Sequence, residues 1–289
     1  MATEWEIEGP RILDIGSEQE TVAALKVALV GGHLDVVTHD DSPAARLEVH
    51  EVKGRPLKVS WNGATLKVSH VKEKDGSLWE GLKGLGKDGR ELSARVSLSI
   101  PSRAVVKAST VSADALITGV RNDAKLNTVS GTVTLDDVVG NVDTNTVSGE
   151  IECHSLRGDF KGNSVSGSLT VQASRLDNIK LNTVSGDITL DLTNGKARIT
   201  SNSVSGDVTA RVPVGGGYDV TAHTMSGHVI IDGQAMSGAR GQHGHGAQRG
   251  GQLRDGDGAL QIRANSVSGD VVVLRATDAA PGHDDEIAG

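Results

Sequence analysis

The chain has 289 residues, with three Trp, one Tyr and one Phe against 37 Gly. This composition excludes a globular core built around large rings and favours a thin aliphatic core with many corners, as in repeat proteins. The formal net charge of −8 disfavours nucleic-acid binding, which needs clustered Lys and Arg, and one cysteine excludes an intrachain disulfide.

The first residues, MATEWEIEGPRILDIG, have neither a basic start nor an apolar run of signal-peptide length. No later stretch approaches the roughly 18 apolar residues needed to span a membrane. We therefore expect a cytoplasmic protein with no signal peptide or transmembrane segment.

Residues 1–104 alternate apolar and polar side chains in short runs, which is typical of β-strands. Between two such runs lies Asn62-Gly63, a dipeptide that strongly favours a hairpin. We predict that this N-terminal all-β segment starts the repeat stack that follows it and caps the first exposed edge of that stack.

Four large apolar residues near the end of this segment could share one side of a short helical turn. They are Leu78, Trp79, Leu82 and Leu85. Such a turn would either pack as a lid on the end of the stack or contact a protein partner or a membrane surface. The overlapping sequence Gly81–Lys87 matches the start of a phosphate-binding loop, but Asp88 stands where Ser or Thr should hold magnesium, so no nucleotide site is predicted.

Residues 105–277 contain an internal repeat in which the motif Asn-Thr/Ser-Val-Ser-Gly recurs every 18 to 21 residues, with one step of 42. A variant at His223–Gly227 and a degenerate copy at Ser109–Ala113 extend the series. Apolar residues occupy alternate positions on both sides of the motif, which predicts one strand entering it and one leaving it. The motif asparagines are Asn127, Asn145, Asn163, Asn182, Asn202 and Asn265.

This pattern predicts an all-β fold: a single-stranded β-solenoid, or β-helix, of about eight coils of 18–21 residues, with an N-terminal β cap. The parity of apolar residues changes near the Asn-Thr/Ser step, which predicts a corner there and motif valines that line the core. Asparagine tolerates the left-handed conformation that a corner often needs. We expect the stacked asparagines to form a corner ladder of hydrogen bonds from coil to coil.

The long step contains a Gly-rich insertion at about 234–258, which we predict to be a disordered loop. Asp270–Leu274 is expected to be the last coil, and residues 278–289 are expected to be a disordered acidic tail. Pro281 and the acidic residues of this tail would block a further coil, so we expect a monomer or a small homo-oligomer.

The repeated motif, the alternating strands and the N-terminal β region together resemble the bacterial "putative adhesin" or β-strand-repeat family, domain of unknown function 4097. The resemblance covers about residues 105–275 in the repeats. It implies a β-solenoid fold without established catalytic residues, and some members resemble components of the cell-envelope stress response. Bactofilins, which are polymerising β-solenoids, are a weaker architectural resemblance.

The residues with reactive side chains favour structural roles. Equivalent serines in successive motifs lack the distinct base and oxyanion hole that a nucleophile needs. The acidic column after the motif glycines is interrupted by other residues, and the histidines His243 and His245 are too few for a specific metal site. Cys153 falls on an inward position and is predicted to be a small core residue. No catalytic, cofactor or metal site is predicted.

The leading hypothesis is therefore a non-catalytic scaffold or interaction protein, adhesin-like and linked to the cell envelope or stress response, whose protein partners the sequence does not identify. One alternative is a self-assembling filament protein of bactofilin type. A third is a β-helix enzyme acting on carbohydrate, which would need converging, chemically distinct residues that the repeats lack.

Overall fold

The computed structural model describes residues 3–70, 92–236 and 249–276. Within these ranges the regular secondary structure is all β-strand, as the sequence alternation predicts. We call the sheet made by strands that lead into the motif the entry sheet, and the sheet made by strands that leave it the exit sheet.

The strands before the repeats are β1 (Thr3–Ile7), β2 (Arg11–Ile15), β3 (Ala24–Leu29), β4 (Gly31–His39), β5 (Ala45–Lys53), β6 (Leu57–Trp61), β7 (Thr65–Ser69) and β8 (Ser93–Pro101). The first repeats contribute β9 (Val105–Thr110), β10 (Asp114–Thr118), β11 (Ala124–Thr128), β12 (Val133–Asp136), β13 (Val142–Thr146), β14 (Ile151–His154), β15 (Arg157–Ser164) and β16 (Leu169–Thr183). The later repeats contribute β17 (Ile188–Leu192), β18 (Ala197–Asn202), β19 (Val208–Val212), β20 (Tyr218–Thr224), β21 (Val229–Ile231), β22 (Gln234–Ala235), β23 (Arg249–Asp255), β24 (Leu260–Asn265) and β25 (Val271–Arg275).

Successive repeats stack in parallel with equivalent residues opposite each other. Asn145 lies between Asn127 and Asn163 in the entry sheet, and Val133 pairs with Ile151 in the exit sheet. The long strand β16 bends from the exit sheet into the entry sheet and belongs to both. Each coil therefore buries its aliphatic face and pairs its backbone with the next coil about 4.8 Å away, which gives a solenoid-like architecture.

The core is one continuous aliphatic column, because alternate residues of the stacked strands point inwards. Its few rings include Phe160 and Tyr218, each 2% exposed. Cys153 is fully buried at an inward position of β14, as predicted, and burial raises the pKa of its thiol well above the ordinary range.

The corner of each repeat lies two residues later than the sequence pattern suggested. The inward face continues through Ser201 and Ser203 and resumes at Gly206, whereas Val204 and Ser205 point outwards. The prediction that motif valines line the core is therefore wrong. The physical reason is the hydroxyl of Ser203, which donates to the carbonyl of Gly206 at 2.7 Å and accepts its N–H at 2.9 Å, so a buried polar group holds the turn.

Left-handed backbone at residues other than glycine occurs at the other corner, where strands of the exit sheet end, and the prediction of such a conformation at the motif asparagines is wrong. The asparagines lie on extended strands because the turn comes after them. The non-glycine residues with positive φ at the second corner are Asp137, Ser155, Ala173 and Asp232.

At the N-terminal end the coils do not stack in chain order. β3 lies between β7 and β9, and β4 lies between β8 and β10, all in parallel. The coil of β3 and β4 is thus inserted between two coils that follow it in the sequence. Antiparallel pairs of β7 with β6, β6 with β1, β8 with β5 and β5 with β2 complete this end. The hairpin predicted at Asn62-Gly63 is confirmed by the pairing of β6 with β7.

The C-terminal end repeats this arrangement. β24 lies between β18 and β20, and β25 lies between β19 and β21. The expectation that Asp270–Leu274 ends the stack is therefore wrong, since the coil of β20 and β21 lies beyond it. The 42-residue step lets the chain skip one level and return to fill it.

The predicted disorder of residues 234–258 is wrong for both ends of that segment. β22 pairs antiparallel with β21, and β23 pairs antiparallel with β20 over seven residues, so they cover the outer edge of the final coil. The glycines here meet a packing need rather than providing flexibility: a Cβ on Gly250 would lie 2.3 Å from the His223 ring. Residues 237–248 and the tail at 278–289 lie outside the described residues.

Candidate functional site

The outer face of the entry sheet carries three parallel columns of side chains, because in-register stacking aligns equivalent residues of every coil. The valine ridge lies at the corner, the asparagine ladder lies two residues before it, and the lysine column lies two residues before the ladder. Exposed members of the valine ridge are Val147, Val165, Val184, Val204, Val267 and the equivalent Met225.

The asparagine ladder consists of the motif asparagines, joined side chain to side chain. Each Nδ2 donates to the Oδ1 of the neighbouring asparagine. The donor–acceptor distances are 3.1 Å (Asn145 to Asn127), 2.8 Å (Asn163 to Asn145), 2.9 Å (Asn182 to Asn163), 3.0 Å (Asn202 to Asn182) and 3.1 Å (Asn265 to Asn202). Asn127 continues the series to Ser109 Oγ at 3.3 Å. The ladder therefore keeps equivalent residues aligned from coil to coil in the two columns that flank it, the valine ridge and the lysine column.

The lysine column runs almost the whole length of the entry sheet. Strand pairing places its members opposite one another from coil to coil. Two of its lysines come from the N-terminal segment, because β3 and β7 lie next to β9. In spatial order the column is Lys67, Lys26, Lys107, Lys125, Asp143, Lys161, Lys180, Thr200 and Arg263.

Few of these cations are neutralised by the surrounding residues. Lys125 Nζ lies 3.1 Å from the carboxylate of Asp143, the one acid in the column. In the described part of the chain no ion pair is formed by Lys26, Lys107, Lys161 or Lys180, and all four are exposed. The face is therefore basic, although the chain as a whole is acidic.

A groove of about 680 Å³ follows the lysine column across six coils, from Val105 to Thr200. Besides lysines it is lined by amides and carboxylates, among them Asn141, Asp123 and Asp159. One oxygen of each carboxylate accepts a backbone N–H from the next coil, 3.0 Å from Asn141 to Asp123 and 3.1 Å from Asn178 to Asp159. These acids are thereby fixed in position while remaining on the groove wall.

The other columns have structural contacts. Each motif serine donates its hydroxyl hydrogen to a valine carbonyl of the neighbouring coil, as Ser166 does to Val147 at 3.2 Å. On the exit side, Asp187 accepts the N–H of Asp207 at 2.9 Å, so this acidic column caps backbone groups. No group of three or more potential metal-ligating side chains is found within the described ranges.

The predicted contact residues Leu78, Trp79, Leu82 and Leu85 lie outside the described residues, as do His243 and His245. No helix in residues 3–70, 92–236 and 249–276 is long and apolar enough to cross a membrane.

Sequence reasoning missed the lysine column, although part of its signal was present. Lys or Arg stands two residues before the motif asparagine at Asn127, Asn163, Asn182 and Asn265. The acidic net charge of the whole chain obscured this pattern. The sequence could not predict that Lys26 and Lys67 join this column, because they do so only through the insertion of β3 between β7 and β9.

Comparison with known proteins identifies the fold family. The family model described as Toastrack DUF4097 matches residues 25–274. A crystal structure of a "putative lipid binding protein" from Parabacteroides distasonis is similar, with 16% identity, 93% of this chain and 97% of that chain covered, and a TM-score of 0.48. A "putative cell adhesion protein" from Clostridium sporogenes is similar with 10% identity, coverages of 92% and 100%, and a TM-score of 0.24. No curated protein matches the chain.

Proposed function

Since the chain belongs to the Toastrack DUF4097 family, we propose that it is a non-catalytic scaffold, a single-stranded β-solenoid of about eight motif coils that binds a partner along the entry sheet. The observation that carries this proposal is the set of three aligned columns on one face, in which the asparagine ladder is continuous from Asn127 to Asn265. A rigid stack with equivalent residues at each level suits a partner that is itself extended or repetitive.

The arrangement of polar groups supports binding over catalysis. An enzyme site brings together chemically different groups, such as a nucleophile, a base and an oxyanion hole. Here each motif serine makes the same contact, as Ser166 does, and Asp187 on the exit side also contacts the backbone of the adjacent coil. Where chemically different groups do converge, at Arg275, Asp232 and Tyr218 near the C-terminal end of the stack, they are paired with one another.

The closed ends support a monomer or a small homo-oligomer rather than a bactofilin-like filament. At both ends of the described stack, the outermost strands are antiparallel to the strands that they cover. A parallel coil of a second molecule would not find the pairing pattern that continues the solenoid. Light scattering at physiological salt should therefore give a small constant mass, and regular filaments of the intact chain would favour the alternative function.

Site-specific photo-crosslinking in native cells tests the choice of face. A photoreactive residue at Asn141, on the groove wall, should give discrete adducts with a protein or a polysaccharide. The matched control is Thr189, which is also exposed and lies on the outer face of the exit sheet. Equal adduct patterns from both positions would remove the assignment of the entry sheet as the binding face.

A further inference from the structure

The lysine column is unusual for its repulsion. Neighbouring coils are about 4.8 Å apart, and like charges placed directly opposite each other in a sheet destabilise it. Lys26 faces Lys107 and Lys161 faces Lys180 on consecutive levels, and these four lysines form no ion pair in the described part of the chain. Thr or Ser at these positions would give the same fold without the repulsion, as Thr200 does in the same column. The column therefore indicates a ligand with a complementary row of negative charges.

The groove walls narrow the chemistry of that ligand. Asp123 and Asp159 stand beside the lysines and each has an oxygen left to accept a further hydrogen bond, while the Asn141 side chain can donate or accept. Carboxylates repel a polymer that carries only anions but bind hydroxyl groups well. The best match is a chain that presents both anions and hydroxyl donors.

Nucleic acid and polyphosphate fit this groove less well. Single-stranded nucleic acids bind on exposed rings that stack with bases, and Phe160, the ring in the groove lining, is 2% exposed. Polyphosphate has no hydroxyl donors along its chain for Asp123 and Asp159. Extended acidic polysaccharides carry carboxylates and hydroxyls at a repeat close to the spacing of the coils.

We propose that the groove binds a linear acidic polysaccharide of the uronic-acid type, laid along the solenoid axis. Its carboxylates lie against Lys107, Lys125, Lys161 and Lys180, and its hydroxyls donate to Asp123 and Asp159. This inference rests on the proposed function, because it names the ligand class of the same face.

Calorimetric titration of the full chain with polygalacturonate tests the inference, with neutral dextran, polyphosphate and single-stranded DNA as comparison ligands. We expect polygalacturonate to bind, more weakly as salt rises, and dextran not to bind. The double variant Lys161→Gln/Lys180→Gln should weaken binding about tenfold. The control Lys53→Gln/Lys196→Gln loses the same charge away from the column and should bind as the parent does.

The unliganded column variant should melt at or above the parent temperature because repulsion is relieved, so lost binding is not confused with unfolding. Equal affinities of the column variant and the control variant would overturn the inference, as would tighter binding of polyphosphate or DNA. If polygalacturonate fails to bind while crosslinks from Asn141 identify a protein, the polysaccharide is wrong and the scaffold function stands. If neither experiment distinguishes the entry face, both are wrong.

Discussion

The middle of the stack and its two ends follow different rules of construction. From β9 to β19 the chain climbs one level per repeat, and every strand lies parallel to its equivalent in the next repeat. At each end one coil is inserted out of chain order, and antiparallel strands cover the result. Regular repeats thus lengthen the stack, while the inserted coils and their antiparallel covering strands end it. A stack that only repeated would leave a parallel edge open to further growth.

The C-terminal end is held by one cluster that joins elements distant in sequence. Arg275, at the end of the inserted coil, lies 2.9 Å from Asp232 of the final coil and also pairs with Asp255 of the covering strand β23. Its guanidinium stacks over the ring of Tyr218 at 4.7 Å, and the Tyr218 hydroxyl donates to Asp232. Side-chain contacts therefore hold the out-of-order coil in place, whereas in-register pairing of parallel strands mainly holds the coils in the middle.

The largest effect is expected in the middle, where backbones approach most closely. A Cβ on Gly167 would lie 1.8 Å from the carbonyl oxygen of Gly149, which belongs to the backbone of the stacked neighbouring coil. Gly167→Ala should therefore lower the free energy of unfolding by about 3–5 kcal/mol in chemical denaturation. Gly195→Ala is the control, since its nearest neighbour would be 3.7 Å away. Similar losses from both variants would show that close stacking is not what makes the middle rigid.

At the N-terminal end, stability should depend on pH through His70. This side chain is 5% exposed, and burial lowers the pKa of His70 to about 4 from the ordinary 6.5. The unfolded chain then binds more protons between these values, so stability is fully present above pH 6.5, falls as the pH drops towards 4, and levels off below it. The fall should be at most about 3 kcal/mol. His70→Phe should flatten this part of the curve in urea unfolding, and an unchanged difference between pH 6.5 and 4 would contradict the buried neutral ring.

How much the sequence could predict differs between the same two regions. In the middle, the period of the repeat, the two strands per coil and the asparagine column follow from local spacing. The position of the corner does not, because Ser203 and Val204 compete for the interior and a hydrogen-bonded hydroxyl wins over an apolar side chain. At the ends the order of coils depends on tertiary pairing of strands, which no local pattern records. Charge on the face is hidden for the same reason, since Lys26 meets Lys107 only through that pairing.

Removing the C-terminal lock should have an intermediate and local effect. Arg275→Ala deletes two carboxylate contacts and the ring contact, and should lower the free energy of unfolding by about 1–2 kcal/mol. Hydrogen exchange should rise in β20 and β23 before it rises in β13. The control Arg211→Ala breaks a 3.1 Å pair with Asp191 at a more exposed site and should cost less. Uniform protection changes across the stack would mean that the ends do not open independently.

Interrupting the asparagine ladder should lower the free energy of unfolding by somewhat less than half of the loss expected for Gly167→Ala. The side-chain amide of Asn163 makes one hydrogen bond with the asparagine on each side of it, at 2.8 and 2.9 Å, and Asn163 is partly buried. Asn163→Ala leaves those two amides each short of one partner, for a loss of about 1–2 kcal/mol. Asn141→Ala, at an exposed position in the neighbouring coil, should change thermal unfolding little. Equal melting temperatures for the two variants would show that the ladder does not stabilise the register in which the coils stack.

The smallest effect is expected for a charge on the valine ridge, and it separates the two locations of the corner most directly. Val184 is 48% exposed, so Val184→Asp places its carboxylate in water and should change the free energy of unfolding by less than about 0.5 kcal/mol. Leu181, three residues earlier, is fully buried, and Leu181→Asp should cost several kcal/mol because an unpaired charge enters the aliphatic column. If Val184→Asp proves as damaging as Leu181→Asp, the turn lies at the Asn-Thr step and the valines face inwards after all. If it is neutral, the buried hydroxyl of Thr183 is the residue that closes the corner, through its 2.9 Å bond with the N–H of Gly186.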